Sequence, residues 1–363
     1  MSSTWGNQIK LSIFGESHGP GIGVVLDGLP AGEAVQQEEL LLQMARRAPG
    51  RDKTATPRRE EDMPEILSGM LDGRTTGAPL CAVIRNTNTR SRDYSQLKNL
   101  PRPGHADYTG MLRYGGYNDV RGGGHFSGRL TAPLVFAGAV CRQILARRGV
   151  FIGGHIYSIG SVCDDPMDPA AVTAQLLNEL SRQSFCLLNP QAEAPMRELV
   201  EQARMEQDSV GGIVECAAVG LPAGVGSPMF GGVENVAASL LFGIPAVKGV
   251  EFGAGFAAAR MRGSQHNDPF YYSDDGRVLT STNNAGGALG GITTGMPLLV
   301  RVAVKPTASI SQPQQTVDLS KHQAAQLQVT GRHDPCIVPR AVPVVESAVA
   351  IAVMELMKEG GRL

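Results

Sequence analysis

Glycine constrains this chain more than any other residue: 45 of its 363 positions are glycine, gathered in loops and without a fixed period. That arrangement excludes collagen and simple repeats. It implies many points where the backbone turns with positive φ or passes close to another group. Regular elements are therefore expected between long glycine-bearing loops. Residues 21–26 read as a strand ending at the Asp27-Gly28 turn, and 80–84, 151–159, 213–219 and 298–304 read as further strands. Helical spacing marks 38–47, 133–148 (stopped by Gly149) and the amphipathic 194–208. The 343–358 segment is apolar nearly all round, which predicts a buried helix. Strands and helices do not alternate in a βαβα rhythm, so an α+β fold is expected rather than a doubly wound sheet. No polar low-complexity linker divides residues 1–363, and one large domain is expected.

The formal net charge of −1 gives no overall field to attract nucleic acid or an anionic membrane, so any anion recognition must be local. The six cysteines, at 81, 141, 163, 186, 216 and 336, include no pair closer than 22 residues, which rules out CxxC and zinc-ligand spacing. Residues 1–10 lack the apolar run of a signal peptide, and the apolar stretch 348–354 is far below the ~20 residues of a membrane span. A soluble, reduced, cytoplasmic protein is expected.

Chemistry concentrates in the long loops 49–61, 86–107, 114–129 and 262–291. Gly15-Glu16-Ser17-His18-Gly19 follows a strand, but its serine is not placed as in a G-x-S-x-G nucleophile elbow. Its plain alternative is a tight turn with an exposed histidine. Arg102-Pro103-Gly104-His105-Ala106-Asp107 sets a histidine between an arginine and an aspartate, which suits proton transfer; a surface hydrogen-bonded histidine is the commoner case. Arg121-Gly122-Gly123-Gly124-His125-Phe126-Ser127-Gly128-Arg129 leads into the 133–148 helix and offers backbone N–H groups and two arginines to an anion, without the Lys-Ser/Thr of a P-loop. The basic run from Arg46 to Arg59 reads as a solvated face or, more sharply, a nucleic-acid patch, yet no aromatics interleave its charges. Gly331-Arg332-His333-Asp334-Pro335-Cys336, with Arg340 beyond, could bind an anion and move a proton, or form an Asp-Pro turn. Gly253-Ala254-Gly255-Phe256-Ala257-Ala258 fits a dinucleotide fingerprint, but the polar loop from Arg262 leaves no room for the helix that motif needs. The inventory suits a small, multiply anionic substrate gripped by arginine, with histidine and aspartate moving protons.

These motifs, with Gly263-Ser264-Gln265, Asn284-Ala285-Gly286-Gly287 and Lys305-Pro306, fall in the order and approximate spacing of the chorismate synthase family, which the chain resembles from about Gly6 to Met357. The resemblance implies a β-α-β sandwich, a homotetramer, reduced FMN as cofactor, and elimination of phosphate from 5-enolpyruvylshikimate 3-phosphate with loss of a ring proton. It implies that His105 protonates the departing phosphate and that His18 is the proton partner of the reduced flavin. Asp334, relayed through Ser17, would accept the proton passing through the flavin. Arg47, Ser127, Arg129, Arg332 and Arg340 would bind substrate. His125, Phe126, Ser127, Pro245, Ala246, Gly290, Lys305, Pro306, Thr307, Ala308, Ser309 and Arg332 would line the flavin site.

The chain departs from the family pattern at His125-Phe126, where Arg-Ser is common, at Lys53 and Pro245, where Arg and Asn are common, and at Ala308, usually Ser. No nicotinamide fingerprint survives, so an external reductant is expected rather than self-reduction with NADPH. Another phosphate- or flavin-binding enzyme, such as a hydrolase, is the rival reading. A hydrolase needs a metal set or an activated nucleophile, and neither is legible.

Overall fold

Strand Gly21–Asp27 alternates in the manner of a half-buried strand: Ile22, Val24 and Leu26 are fully buried. Its neighbour Leu80–Arg85 lies antiparallel with Ile84, Ala82 and Leu80 opposite those three, so the two strands share one apolar face. The sheet they centre has five antiparallel strands in the order Thr4–Trp5, Lys10–Gly15, Gly21–Asp27, Leu80–Arg85, Pro64–Ser68. A second five-stranded antiparallel sheet runs Val247–Phe252, Leu298–Val304, Gly212–Val219, Phe151–Ile159, Val162–Cys163. This computed structural model describes residues 3–50, 62–87, 97–329 and 334–363.

Two long helices fill the space between the sheets. Thr131–Ala146 packs on the first sheet, Val338–Glu359 on the second, and the two lie against each other. Helix Gln37–Arg47 packs against both of them, and Val233–Leu241 covers the second. The core helices approach so closely that a Cβ added at Gly138 would stand 2.1 Å from the Cβ of Ser347. The apolar 121–146 stretch has the length and hydropathy of a membrane span, but 83% of its apolar window is buried inside the fold. One hydrophobic cluster runs through both sheets and the helices between them. The fold is the expected α+β, with helices layered between sheets.

The 343–358 helix begins five residues earlier than expected, at Val338. Pro343 read as a first-turn residue, a place its missing N–H suits. In the structure Pro339 takes that place, Pro343 lies one turn in, and Ser347 Oγ donates to the Pro343 carbonyl at 2.6 Å. The rejected dinucleotide motif is a strand, Val247–Phe252, followed by a short 3₁₀ turn at Gly255–Arg260. Arg46, expected on a solvated basic face, points instead into the core. It shares the buried carboxylate of Glu346 with Arg142, and Glu346 also accepts from Gly154 N. That helix end was read from charge density alone; the helical phase of the 37–47 segment turns Arg46 inward.

The outer face of the second sheet carries a charged row in register: Glu251 opposite Arg301, Arg301 opposite Glu215, Glu215 opposite His155. His155 is fully buried, with Nδ1 2.9 Å from Asp164 and Nε2 2.9 Å from Glu215. Arg301 bonds Glu215 at 2.8 Å and lies over the Tyr157 ring. Burial pulls the His155 pKa down, but the two carboxylates outweigh it and hold the imidazole charged above its ordinary range. A raised folded-state pKa makes this stabilisation complete below the unfolded value of about 6.5 and removes it as pH climbs through the folded value. Thermal stability is thus expected to fall across that window in the wild type. His155→Gln should flatten the slope and cost about 3–5 kcal/mol at pH 6; an unchanged melting profile from pH 6 to 9 in that variant would count against the charged clamp.

Candidate active site

A cavity of about 910 Å³ opens at the ends of the layers, near the top of the usual range for small-molecule and cofactor sites. The termini of several elements converge on it. Arg47 comes from the last turn of the Gln37–Arg47 helix, Arg102 to Ala106 from the loop before helix Asp107–Tyr114, and His125 to Leu130 from the turns before Thr131–Ala146. Pro245 to Lys248 come from the start of an edge strand, Lys305 to Ser309 from the exit of the neighbouring strand, and Asp334 and Arg340 from the approach to the last helix. Of the predicted site residues, Arg47, His105, His125, Phe126, Ser127, Arg129, Pro245, Ala246, Lys305, Pro306, Thr307, Ala308, Ser309, Asp334 and Arg340 line this one hollow.

The three glycines at 122–124 all have positive φ, which only glycine adopts without strain. A Cβ at Gly122 would stand 2.1 Å from His18 Cε1, and a Cβ at Gly123 would stand 3.0 Å from His105 Cε1. Adjacent residues of one loop therefore press on both histidine rings, which places those rings within roughly 12 Å of each other. The loop was expected to cradle an anion with Arg121. Instead Arg121 turns out to a bidentate pair with Asp119, and close approach is what the glycines provide.

His105 Nδ1 lies 2.8 Å from Asp107 Oδ1. A carboxylate only accepts, so Nδ1 carries the proton, and Nε2 is turned toward Gly123. Asp107 is held in turn by Arg102, through Nε and Nη2 at 2.8 Å each, and Arg102 Nη1 donates to Ser309 Oγ at 3.0 Å. Burial pushes the Asp107 pKa up, but the Arg102 and His105 bonds more than offset it and leave the carboxyl well below its usual range. The surface-histidine alternative for this loop fails, because Arg102 and Asp107 are both buried.

Ser17 and His18 are also buried, although His18 had been open to an exposed reading. Ser17 Oγ stands 3.3 Å from His18 Nδ1 and donates to the carbonyls of Arg121 and Gly122. Asp334 pairs with Arg340, whose Nε donates to the Arg47 carbonyl at 2.9 Å. Among the described residues Ser17 Oγ bonds to His18 and to these two carbonyls rather than to Asp334.

His125 Nδ1 lies 2.8 Å from the Gly15 carbonyl and must donate to it, which leaves Nε2 facing Ser3 Oγ at 2.7 Å. The Thr307 hydroxyl is buried on the cavity wall with no partner, a polar atom placed for a ligand. Ala246 keeps φ +76, a strained value for a non-glycine residue. A planar, phosphate-bearing cofactor suits this lining, which combines apolar Leu240, Ile244 and Val247 with Lys305 and Thr307. Burial, with Lys248 nearby, lowers the Lys305 pKa.

Gly290 does not join the cavity. It lies exposed at the turn of the hairpin formed by Ala288–Leu289 and Ile292–Thr293. Arg332, like the basic run's Arg51, Lys53, Arg58 and Arg59, falls outside the described residues.

Sequence reasoning passed over Asp62, Asn86 and Lys248. Asp62 accepts from Arg47 Nη1 at 2.8 Å and from Arg129 Nη1, and Asn86 Oδ1 accepts from Arg129 Nε at 3.2 Å. Lys248 reaches the cavity because the edge strand bulges between Val247 and Gly249. Among the described residues the wall carries six fixed cations, Arg47, Arg102, Arg129, Lys248, Lys305 and Arg340. Three carboxylates, Asp62, Asp107 and Asp334, bond to members of that set.

Fold and site together define an α+β protein with a cationic cavity beside buried histidine–carboxylate and histidine–serine pairs. The family model for chorismate synthase matches residues 9–357. Chorismate synthases of Thermococcus kodakarensis and Dehalococcoides mccartyi are 49% and 46% identical, over 96% and 99% of this chain and 96% and 98% of their own lengths. That of Methanocella arvoryzae is 47% identical over 99% of this chain and 95% of its own. A crystal structure of chorismate synthase superposes with a TM-score of 0.76 at 29% identity, covering 98% of this chain and 93% of that one. The chain belongs to the chorismate synthase family. Membership makes it a carbon–oxygen lyase of the shikimate pathway, which serves aromatic amino acid biosynthesis.

Gly122→Ala is expected to reduce turnover by about 100-fold, the scale of a 1 Å misplacement of a reacting group. Gly123→Ala, with its longer contact, should do less harm. Equal, near-normal rates in both, measured with the variants folded by circular dichroism, would remove the glycine pair's role in setting the histidines.

Proposed function

We propose that the cavity holds reduced FMN against 5-enolpyruvylshikimate 3-phosphate and that the chain catalyses the 1,4-elimination of phosphate to give chorismate. The observation that carries this reading is the surplus, among the described residues, of three cations on the cavity wall, with His105 on that wall and His18 packed against its Gly122. The substrate bears two carboxylates and a phosphate, so a surplus of that size offsets most of its charge away from water.

The allylic C–O bond to phosphate breaks, a ring C–H bond breaks, and the cyclohexene becomes a cyclohexadiene with no net change of oxidation state. Reduced FMN, when bound, supplies transient electron density as the phosphate departs. Arg47, Arg129 and Arg340 hold the anionic groups, with Ser127 beside them; Arg332 joins this set by resemblance. Asp107 keeps the proton on His105 Nδ1 and stabilises the imidazolium, so Nε2–H is the acid for the leaving phosphate. His18, steadied by Ser17, is the proton partner at the flavin. Asp334, on the cavity wall beside Arg340, is the carboxylate that takes up the ring proton.

Lys305 to Ser309, Pro245, Ala246, His125 and Phe126 hold the flavin, with the Thr307 hydroxyl as a ready hydrogen-bonding group. A homotetramer supplied with reduced flavin by an external reductant, in the cytoplasm, completes the proposal. Exposed side chains such as Met229, Phe230 and Phe256 support the association.

Anaerobic assay with chemically reduced FMN should give chorismate and phosphate in equal amounts, and oxidised FMN should give neither. Phosphate released without reduced flavin would point to a hydrolase. His105→Ala and His18→Ala should each slow turnover by roughly 10²–10⁴-fold, and near-normal rates in both would remove their roles. Arg129→Ala should act mainly on substrate affinity; an unchanged KM would contradict the anion clamp.

A further inference from the structure

Asp62 carries no motif and touches no part of the cavity surface, yet two of the cavity's arginines depend on it. It precedes the edge strand Pro64–Ser68, with φ +45 and a side chain wholly shut off from solvent. Oδ2 accepts from Arg47 Nη1 at 2.8 Å and Oδ1 accepts from Arg129 Nη1. The three residues come from separate elements: a helix end, the turn before a core helix, and the entry to an edge strand. Two buried guanidiniums on one wall repel each other, and burial, with Arg340 and Arg129 nearby, brings the Arg47 pKa down to about 10. The carboxylate between them is what permits the juxtaposition. Burial raises the Asp62 pKa, but Arg47 and Arg129 outweigh it, so the group stays ionised.

The other donors of Arg47 are also spoken for, since Nε bonds Thr131 Oγ1 at 3.0 Å and Nη2 bonds the Gly128 carbonyl at 2.9 Å. With Nη1 on Asp62, only the outer N–H edge of this fork remains to meet a ligand.

We propose that Asp62 is a positioning residue for anion binding, whose buried carboxylate sets the spacing and the outward edge of the Arg47 and Arg129 guanidiniums. This rests on reading the cavity as the substrate site. Asp62 has no access to the reacting atoms, so its effect falls on substrate affinity and leaves the chemical step to His105 and its partners.

The test is Asp62→Asn, which keeps shape and removes charge, in the full-length protein loaded with reduced FMN. We expect KM for 5-enolpyruvylshikimate 3-phosphate to rise by about 10- to 100-fold, the scale of a lost charge-assisted hydrogen bond, with kcat within about threefold. His105→Ala should show the opposite split. Arg129→Gln should raise KM strongly in the wild type and little in the Asp62→Asn background, because the guanidinium is already misplaced there. A folded Asp62→Asn protein with unchanged KM, or one whose melting temperature falls while KM holds, overturns the proposal and leaves Asp62 a structural brace. If Asp62→Asn does not fold, Asp62→Glu, which keeps the charge but shifts it by one methylene, is read the same way. Inorganic phosphate binding by equilibrium dialysis separates the two levels of inference. If the wild type lacks turnover but binds phosphate more tightly than Asp62→Asn, the assigned reaction fails and Asp62 stands. If the wild type turns over and both bind phosphate alike, Asp62 fails and the reaction stands.

Discussion

One carboxylate shared between two cations is the interaction on which this molecule is built. Glu346 takes Arg46 and Arg142 between the core helices, Asp62 takes Arg47 and Arg129 at the cavity, Asp107 takes Arg102 and His105, and Glu215 takes His155 and Arg301 in the second sheet. A buried guanidinium without a counter-ion is too costly to keep. A fully neutralised one would have nothing to offer an anion. The shared arrangement lies between these limits: each cation is hydrogen-bonded, and one carboxylate serves two of them. In the core the remaining polar atoms are met within the fold, by Gln43 and Gly154 N–H around Glu346 and by Asp164 at His155. At the cavity wall Arg47 and Arg129 border the open hollow.

Antiparallel sheets are suited to placing such trios. Their strands and connecting helices end at the margins of the layers, where loops remote in sequence can meet without crossing the core. The helix Gln37–Arg47 shows the economy of this. Its last two residues point opposite ways, Arg46 into the core against Glu346 and Arg47 into the cavity against Asp62. One turn of helix thus ties the packing of the molecule to the shape of its site, and displacing that helix end would disturb both.

What the sequence displays follows from how local each signal is. Strand Phe151–Ile159 and helix Gln37–Arg47 were legible because the pattern of apolar residues matches one period. The hairpin Gln314–Asp318 and Gln323–Leu327 was not, since glutamine-rich strands with little burial carry no alternation. Strand Pro64–Ser68 is an exposed edge and gave no signal for the same reason. Histidines set among glycines, prolines and arginines announced the site because such clusters are rare. Asp62 did not, being one acid in a densely charged run, and its importance comes from two arginines that fold onto it from elsewhere. Lys248 depends on a strand bulge, which is a property of pairing rather than of composition.

The glycine loop settles what kind of precision the site needs. An anion-binding loop tolerates variation in side chains that point away, because its backbone N–H groups do the work. Here the backbone at Gly122 and Gly123 is instead wedged against two imidazole rings, and a single methyl group at Gly122 would overlap the first of them. Three successive left-handed residues are costly to order and useless for stability alone. They are explained if the distance between His18 and His105 must be held constant while charge moves between them and the ligand. On the proposed function, the surplus cations draw the substrate in and the glycine wedge fixes where its protons can go.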